Sequence, residues 1–372
     1  MVCMLREKKA GNERNYLTGF KRILRNTVLL LCMGLLLVSC ASLNTQDDQR
    51  STGLPPAWTP TPGSAAAKTE APQATSTPTP AFEDPGAPDR STAYEDPPAA
   101  SEAGTAWTSA ADGKTMLYIP AGNSYIGARN DYRIAEPDER PQTRISLDAF
   151  WINETEVTNA EYENCVDAEA CSTPVYTGSA TRTAYYGLVT YGDYPVLGVT
   201  WYQARDYCAW IGGSLPSEAQ WEKAARSQDG RRYPWEWVGS VYNGMQEIRL
   251  NYCDAECSLP WADSSYSDGY EDTAPVGSYP AGASPYGVLD MAGNVWEWTN
   301  DWYASNTYED ISLENPAGPE HGLEKVIKGG SWMDGLNDGV PLLFRSSNRT
   351  FRSPVEAYSD LGFRCILPAS ID

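Results

Sequence analysis

The chain of 372 residues contains one histidine, His321, and that count bounds the chemistry open to it. It excludes a three-histidine iron centre and the common histidine-rich zinc sites, and it leaves no Ser-His-Asp or Cys-His triad unless His321 is the base. His321 stands in Pro319-Glu320-His321-Gly322, a loop context that reads as a solvated imidazole. Thiols come second. Six of the nine cysteines (Cys165, Cys171, Cys208, Cys253, Cys257 and Cys365) fall in the C-terminal part of the chain, and an even set in an exported protein reads first as disulfides. Carboxylates come third. Asp290 and Glu297 bracket a tight Gly293-Asn294 turn, and Asp268 opens Asp268-Gly269-Tyr270. Hard cations such as calcium take roughly six to eight oxygen ligands, although these acids alone read equally well as turn formers in an acidic chain. The last group is Ser331 followed by Asp334, with Asp338 in the same loop.

Few regular elements are available to position these groups. Thr158-Asn159-Ala160-Glu161 is a capping box that predicts a helix toward Val166. Ser217-Glu218-Ala219-Gln220 predicts another, with Trp221, Ala224 and Ala225 on one face. Between them Trp201, Ala204, Cys208 and Ile211 keep helical spacing after Thr200, and Gly212-Gly213 ends the run. Short strands are expected at 116–119, 143–147, 150–152 and 326–328. With 13 Trp, 23 Tyr and 31 Gly, an aromatic core holding irregular segments is expected rather than long ladders of strands or helices. Residues 113–372 read as one α+β, loop-rich domain without internal repeats.

Upstream of that block the chain reads differently. Residues 1–27 carry seven basic side chains ahead of an apolar run at 28–38, a signal-peptide pattern too short to span a bilayer. The run ends in Leu37-Val38-Ser39-Cys40, which resembles the bacterial lipobox. Cys40 is the expected lipidation site, which makes the chain a lipoprotein anchored to the extracytoplasmic face of the cell membrane. Residues 40–112 are rich in Pro, Ala, Ser and Thr and read as a disordered tether. Removing 1–39 takes seven basic and two acidic residues from 28 and 49, leaving 21 and 47 and a net charge near −26. Nucleic acid and anionic lipid headgroups are therefore poor partners, and no nucleic-acid partner is expected.

Eight fragments then follow one another in a recognisable order: 116–122, 150–159, 195–201, 215–222, Tyr233-Pro234-Trp235, 286–290, Ala292-Gly293-Asn294-Val295-Trp296-Glu297-Trp298, and Gly329-Gly330-Ser331-Trp332 with Arg349 and Leu361-Gly362-Phe363-Arg364-Cys365. In this the chain closely resembles the formylglycine-generating (sulfatase-modifying factor) enzyme family. The resemblance implies that family's compact variant of the C-type lectin-like fold. It implies a Cys208–Cys365 bridge, which leaves Cys165 with Cys171 and Cys253 with Cys257 as local staples. A metal reading of the two short pairs would need four thiols to converge with no histidine nearby. The resemblance also implies structural calcium: one site from Asn251, Asp268 and the carbonyls of Tyr252 and Tyr270, another from Asp290, Glu297 and the carbonyls of Gly293 and Val295. The family's enzymes oxidise a substrate cysteine to formylglycine with dioxygen on two copper(I)-binding thiolates. Here Asp334 stands where the first thiol is expected, no cysteine occurs between Ser331 and Arg349, and that loop is two residues longer than the active pattern. Copper(I) is a soft ion that selects sulfur, so no copper is expected. Trp332, Arg345, Arg349 and Arg364 read as scaffold. The leading expectation is a non-catalytic member whose groove binds a peptide, a glycan or an envelope protein. The alternatives are a formylglycine-generating oxidase or related oxidoreductase using other residues, and a purely structural envelope protein.

Overall fold

The computed structural model describes residue 86 and residues 88–235, 248–336 and 341–369. The expected signal peptide, Cys40, the first part of the expected tether and Asp338 lie outside the described residues. The three helices form where the sequence caps them. Helix α1 (Asn159–Asp167), α2 (Trp201–Trp210) and α3 (Glu218–Arg226) each start from a Ser or Thr whose hydroxyl accepts the N3 amide, while the N3 Glu or Gln side chain accepts the cap amide. At Gly213, just past α2, a Cβ would collide with the Ile366 carbonyl. Only glycine permits this approach, and it lets Ser214 exchange backbone hydrogen bonds with Ile366.

Ten short strands make three sheets. β1 (Ala106–Thr108), β2 (Thr115–Ile119), β5 (Phe150–Asn153) and β10 (Ile366–Pro368) form an antiparallel sheet in that spatial order. β3 (Gly122–Ile126) and β4 (Thr143–Leu147) form an antiparallel pair. The third sheet runs β8 (Thr350–Arg352), β7 (Lys325–Lys328), β6 (Trp296–Trp302), β9 (Leu361–Phe363), with β9 parallel to β6. One core lies between the first sheet and α3, where Leu117, Ile119, Phe150, Ile152 and Ile366 meet Trp221, Ala224 and Ala225. The other packs α1 and α2 against Trp296, Trp298, Ile327, Leu361 and Phe363. Three of the buried indoles find polar partners as well as apolar contact: Trp221 Nε1 donates to Glu297, Trp298 Nε1 to the Val199 carbonyl and Trp201 Nε1 to the Thr299 carbonyl. Three disulfides join Cys165–Cys171, Cys208–Cys365 and Cys253–Cys257.

The folded part begins before the expected boundary at residue 113. The Ser91 amide donates to the Trp210 carbonyl, β1 pairs with β2, and Tyr207 Oη donates to Asp112. Tyr94 and Trp107 pack on Met116, Tyr118, Trp151 and Leu367. The low apolar content of 41–112 does not prevent this, because a segment that docks on an existing sheet needs only a few aromatics and no core of its own.

Candidate functional site

Strand β7 ends in Gly329-Gly330, both at positive φ (+102° and +80°), and a Cβ on Gly330 would stand 2.5 Å from the Phe344 ring. This turn buries Ser331 completely. The Ser331 amide and Oγ donate to one Asp334 carboxylate oxygen at 2.9 and 3.0 Å. The segment 253–262 closes over the same turn. The Cys253 amide donates to the Asp334 carbonyl at 2.9 Å, Trp261 Nε1 donates to the Met333 carbonyl at 2.9 Å, and Trp332 packs on the Cys253–Cys257 bridge. Beside the turn lies a groove of about 570 Å³, lined by Trp261, Trp296, Met333, Asp334, Arg349 and Asp360 among others. Trp261 leaves 55 % of its surface exposed there. Burial raises the Asp334 carboxyl, the charge of Asp360 adds to this, and hydrogen bonds from Ser331 oppose it. Burial also raises Asp360, against the pull of Arg352. These two acids offer oxygen alone, which a soft metal does not select. Arg349 grips both carboxylate oxygens of Glu218 at 2.9 Å. With Glu136 and Thr350 it also lines an adjoining hollow of about 460 Å³.

The two expected calcium sets adjoin each other. Asn251 Nδ2 donates to the Asp272 carbonyl and to Asn294 Oδ1 at 2.9 and 3.1 Å, and the Asn294 amide donates back to the Asn251 carbonyl. Asn251 Oδ1 is left buried without a partner. Asp268 accepts the Tyr270 amide on one oxygen and has no partner on the other. Burial pushes its carboxyl up to about 7. Asp254 and Glu256, which the sequence reading missed, bring carboxylate oxygens to within 4.8 Å of one another and of Asp268, a group able to hold a metal ion. The only signal for them was the close Cys253/Cys257 spacing around two acids.

In the second set Asp290, at φ +56°, accepts the Gly277 amide at 2.6 Å. The carbonyls of Gly293, Val295 and Tyr270 accept no protein hydrogen bond among the described residues. Glu297, expected as a ligand, has its carboxylate held by Arg364 at 2.7 Å on each oxygen and by Trp221 Nε1 at 2.8 Å. The sequence reading also missed Glu156. It accepts Asn294 Nδ2 on one oxygen, leaves the other buried and unpartnered, and is pushed well above the usual carboxylate range by burial and then by the charge of Asp290. Orphaned buried oxygens are costly in a protein interior. Gathered in this number, they fit a hard, oxygen-seeking cation. His321 is exposed, 3.7 Å from Glu320.

The profile of the Sulfatase-modifying factor enzyme 1-like domain matches residues 102–369. The formylglycine-generating enzyme of Bos taurus is 31% identical over 288 residues, covering 67% of this chain and 74% of that protein. That of Thermomonospora curvata is 31% identical over 291 residues, covering 68% and 93%. Among solved structures, that of PvdO from Pseudomonas aeruginosa superposes with a TM-score of 0.57 at 26% identity, over 72% of this chain and 99% of the other.

Proposed function

We propose, from the premise that the chain belongs to the sulfatase-modifying factor family, that it is a lipid-anchored, extracytoplasmic binding module that has given up the family's oxidase chemistry. One observation carries this reading. All six cysteines of the folded domain are in disulfides, and at the position where the resemblance implies a copper thiolate, Asp334 is hydrogen-bonded to Ser331. The groove instead offers a half-exposed tryptophan, a second tryptophan, a methionine and two acids, surfaces suited to a peptide, glycan or envelope-protein ligand. Calcium serves as a structural ion in this reading. Asn251 and Asp268 with the carbonyls of Tyr252 and Tyr270 would hold one ion. Asp290, Glu297 and the carbonyls of Gly293 and Val295 would hold another, with Glu156 beside them. The ions neutralise buried acids and fix the loops next to the groove.

The test offers the purified chain a sulfatase-type Cys-x-Pro-x-Arg peptide with copper, oxygen and reductant, and the expected yield of formylglycine is nil. Product from the unmodified protein that disappears in Ser331→Ala overturns the binding-module reading. The oxidase reading keeps one observation of its own, the Cys253–Cys257 pair packed against Trp332 beside Asp334. One equivalent of copper(I) bound after reduction, lost in Cys253→Ser, would favour it.

A further inference from the structure

We propose that the pocket at the C-terminal end of α3 binds one small oxyanion, phosphate or sulfate, with Arg226 as its buried anchor. The site shares no residue with the calcium sets and does not depend on the binding-module reading of the groove.

Four arginines line this pocket, Arg129, Arg226, Arg231 and Arg232, together with Gln142 and Gly230. So many cations around one small hollow stand out in a chain with 49 acidic and 28 basic residues. Three have acids of their own: Arg129 pairs with Asp131 at 2.8 Å, Arg231 with Asp229 at 2.6 Å and Arg226 with Glu222 at 2.8 Å. Arg232 has no ion pair among the described residues and lies 3.9 Å over the Tyr132 ring.

Arg226 is 2 % exposed, yet most of its donors have nothing to donate to. Its Nη1 donates to Glu222 at 2.8 Å and to the Gly127 carbonyl at 3.1 Å. Nε is buried without a partner, and Nη2 makes no hydrogen bond among the described residues. Those two nitrogens form the side edge of the guanidinium, which grips a carboxylate or phosphate with two parallel bonds. Arg349 and Arg364 spend that same edge on Glu218 and Glu297; in Arg226 it faces no acid. Charge points the same way. Lys328 lies 3.3 Å from Glu222 and 3.6 Å from Glu218, which Arg349 also holds. These ion pairs set three buried cations against two carboxylates. Idle donors and surplus charge are both costly in an interior, and an anion offsets both.

Gly230 marks where the anion would stand. It sits at φ +68°, and a Cβ on it would lie 3.1 Å from Arg226 Nη2 and 3.4 Å from Gln142 Nε2. Two side-chain donors thus converge on a point that glycine leaves open, close to the distance at which an oxygen accepts from both. The pocket measures about 20 Å³ against about 570 Å³ for the groove, which suits one small ion and not a sugar ring or a peptide. A fork beside an amide matches the several oxygens of phosphate or sulfate better than a halide.

The full-length chain, in low-chloride buffer, is titrated by calorimetry with inorganic phosphate and separately with sulfate. One ion should bind per chain, and the melting temperature should rise with its concentration. Arg232 is exposed and Gln142 half-buried, so Arg232→Gln and Gln142→Leu test the site without threatening the fold, and each should weaken binding about tenfold. Arg226→Lys keeps a cation beside Glu222 but loses the side edge, and should abolish binding. Gly230→Asp, a residue type that tolerates positive φ, places a carboxylate in the cradle and should abolish the phosphate response of an otherwise folded chain. Methyl phosphate separates the sources: binding equal to phosphate makes the ligand the phosphate end of a larger molecule, and rejection makes it the free ion. If the parent binds neither ion at millimolar concentration, the proposal falls. It falls equally if Arg232→Gln, Gln142→Leu and Gly230→Asp all bind as the parent does, because the ion then sits elsewhere.

Discussion

Arg364 is fully buried and makes five hydrogen bonds. Two go to the Glu297 carboxylate, and three go to the carbonyls of Asn153, Glu154 and Leu289. One guanidinium therefore ties the end of β5 to the turn that opens β6. Arg364→Ala would leave Glu297 charged and unpaired in the interior, and we expect a loss of roughly 3–5 kcal/mol in denaturant unfolding. Arg364→Lys should recover little, because an ammonium cannot reproduce the fork. Asp301, in β6, has its carboxyl pushed up to about 7, chiefly by burial and then by the charge of Glu218. In the unfolded chain the same carboxyl titrates near 3.9. Between these values the folded state keeps a proton that the unfolded state has lost, so its contribution to stability is full below pH ~4 and is lost as pH rises to about 7. Asp301→Asn keeps the acceptor for the Glu218 amide and cannot ionise. Its stability relative to the parent should rise across that window by on the order of 3 kcal/mol, read from urea midpoints at pH 4.5 and 7.5. Equal midpoint differences at the two pH values would show that Asp301 does not titrate there. Arg345, Arg349 and Arg364 were readable as scaffold from the sequence because a buried guanidinium needs acids and carbonyls. Glu156 was not, since nothing local marks an acid whose partners lie 134 and 138 residues downstream, at Asp290 and Asn294.

Helix α3 carries four of its nine side chains as charges into the interior: Glu218, Glu222, Lys223 and Arg226 are all buried. Lys328 lies 3.6 and 3.3 Å from Glu218 and Glu222, and Arg226 pairs with Glu222 at 2.8 Å. The helix depends on its cap as well as on Trp221. Ser217→Ala removes the hydroxyl that accepts the Gln220 amide and should cost about 1 kcal/mol in thermal or urea unfolding. Ser217→Asp should restore most of it. Helices α1 and α3 were legible because capping boxes are local, α2 from its helical spacing and its Gly212-Gly213 stop, and strands β2, β4, β5 and β7 from short local patterns. Strand β6 was hidden. Glu297 and Asp301 interrupt its tryptophans, and what makes those acids tolerable inside, Arg364 and Trp221 for Glu297 and the Glu218 amide for Asp301, lies far along the chain. Strands β8, β9 and β10 have three residues each, too few to show a period of two. The loop carrying Asp254 and Glu256 is irregular, so no pattern could announce that it folds back on Asp268.

At the scale of the whole domain the disulfides differ in reach. Cys208–Cys365 closes 157 residues, whereas Cys165–Cys171 and Cys253–Cys257 close 6 and 4. On chain entropy the long closure is worth about 5 kcal/mol and each short one about 2. Replacing Cys208 and Cys365 with serine should therefore lower the melting temperature more than removing either staple. Chelation should also lower the melting temperature, and added calcium should raise it with concentration, because an ion that binds only the folded state stabilises it by mass action. Asp290→Asn should reduce the calcium-dependent rise. A melting curve indifferent to chelator would reduce the calcium sets to turns.

The first sheet pairs β1 with β2, β2 with β5, and β5 with β10, the last strand among the described residues. β10 lies far along the chain from β5, so this sheet keeps an open edge until that distant segment arrives. Until then α2 displays the Cys208 thiol beside a docking surface that only Cys365 and β10 can cover. Completing this sheet therefore waits on a long-range pairing. A chain cut short before Ile366 should be a ward of chaperones and proteases rather than a smaller folded protein.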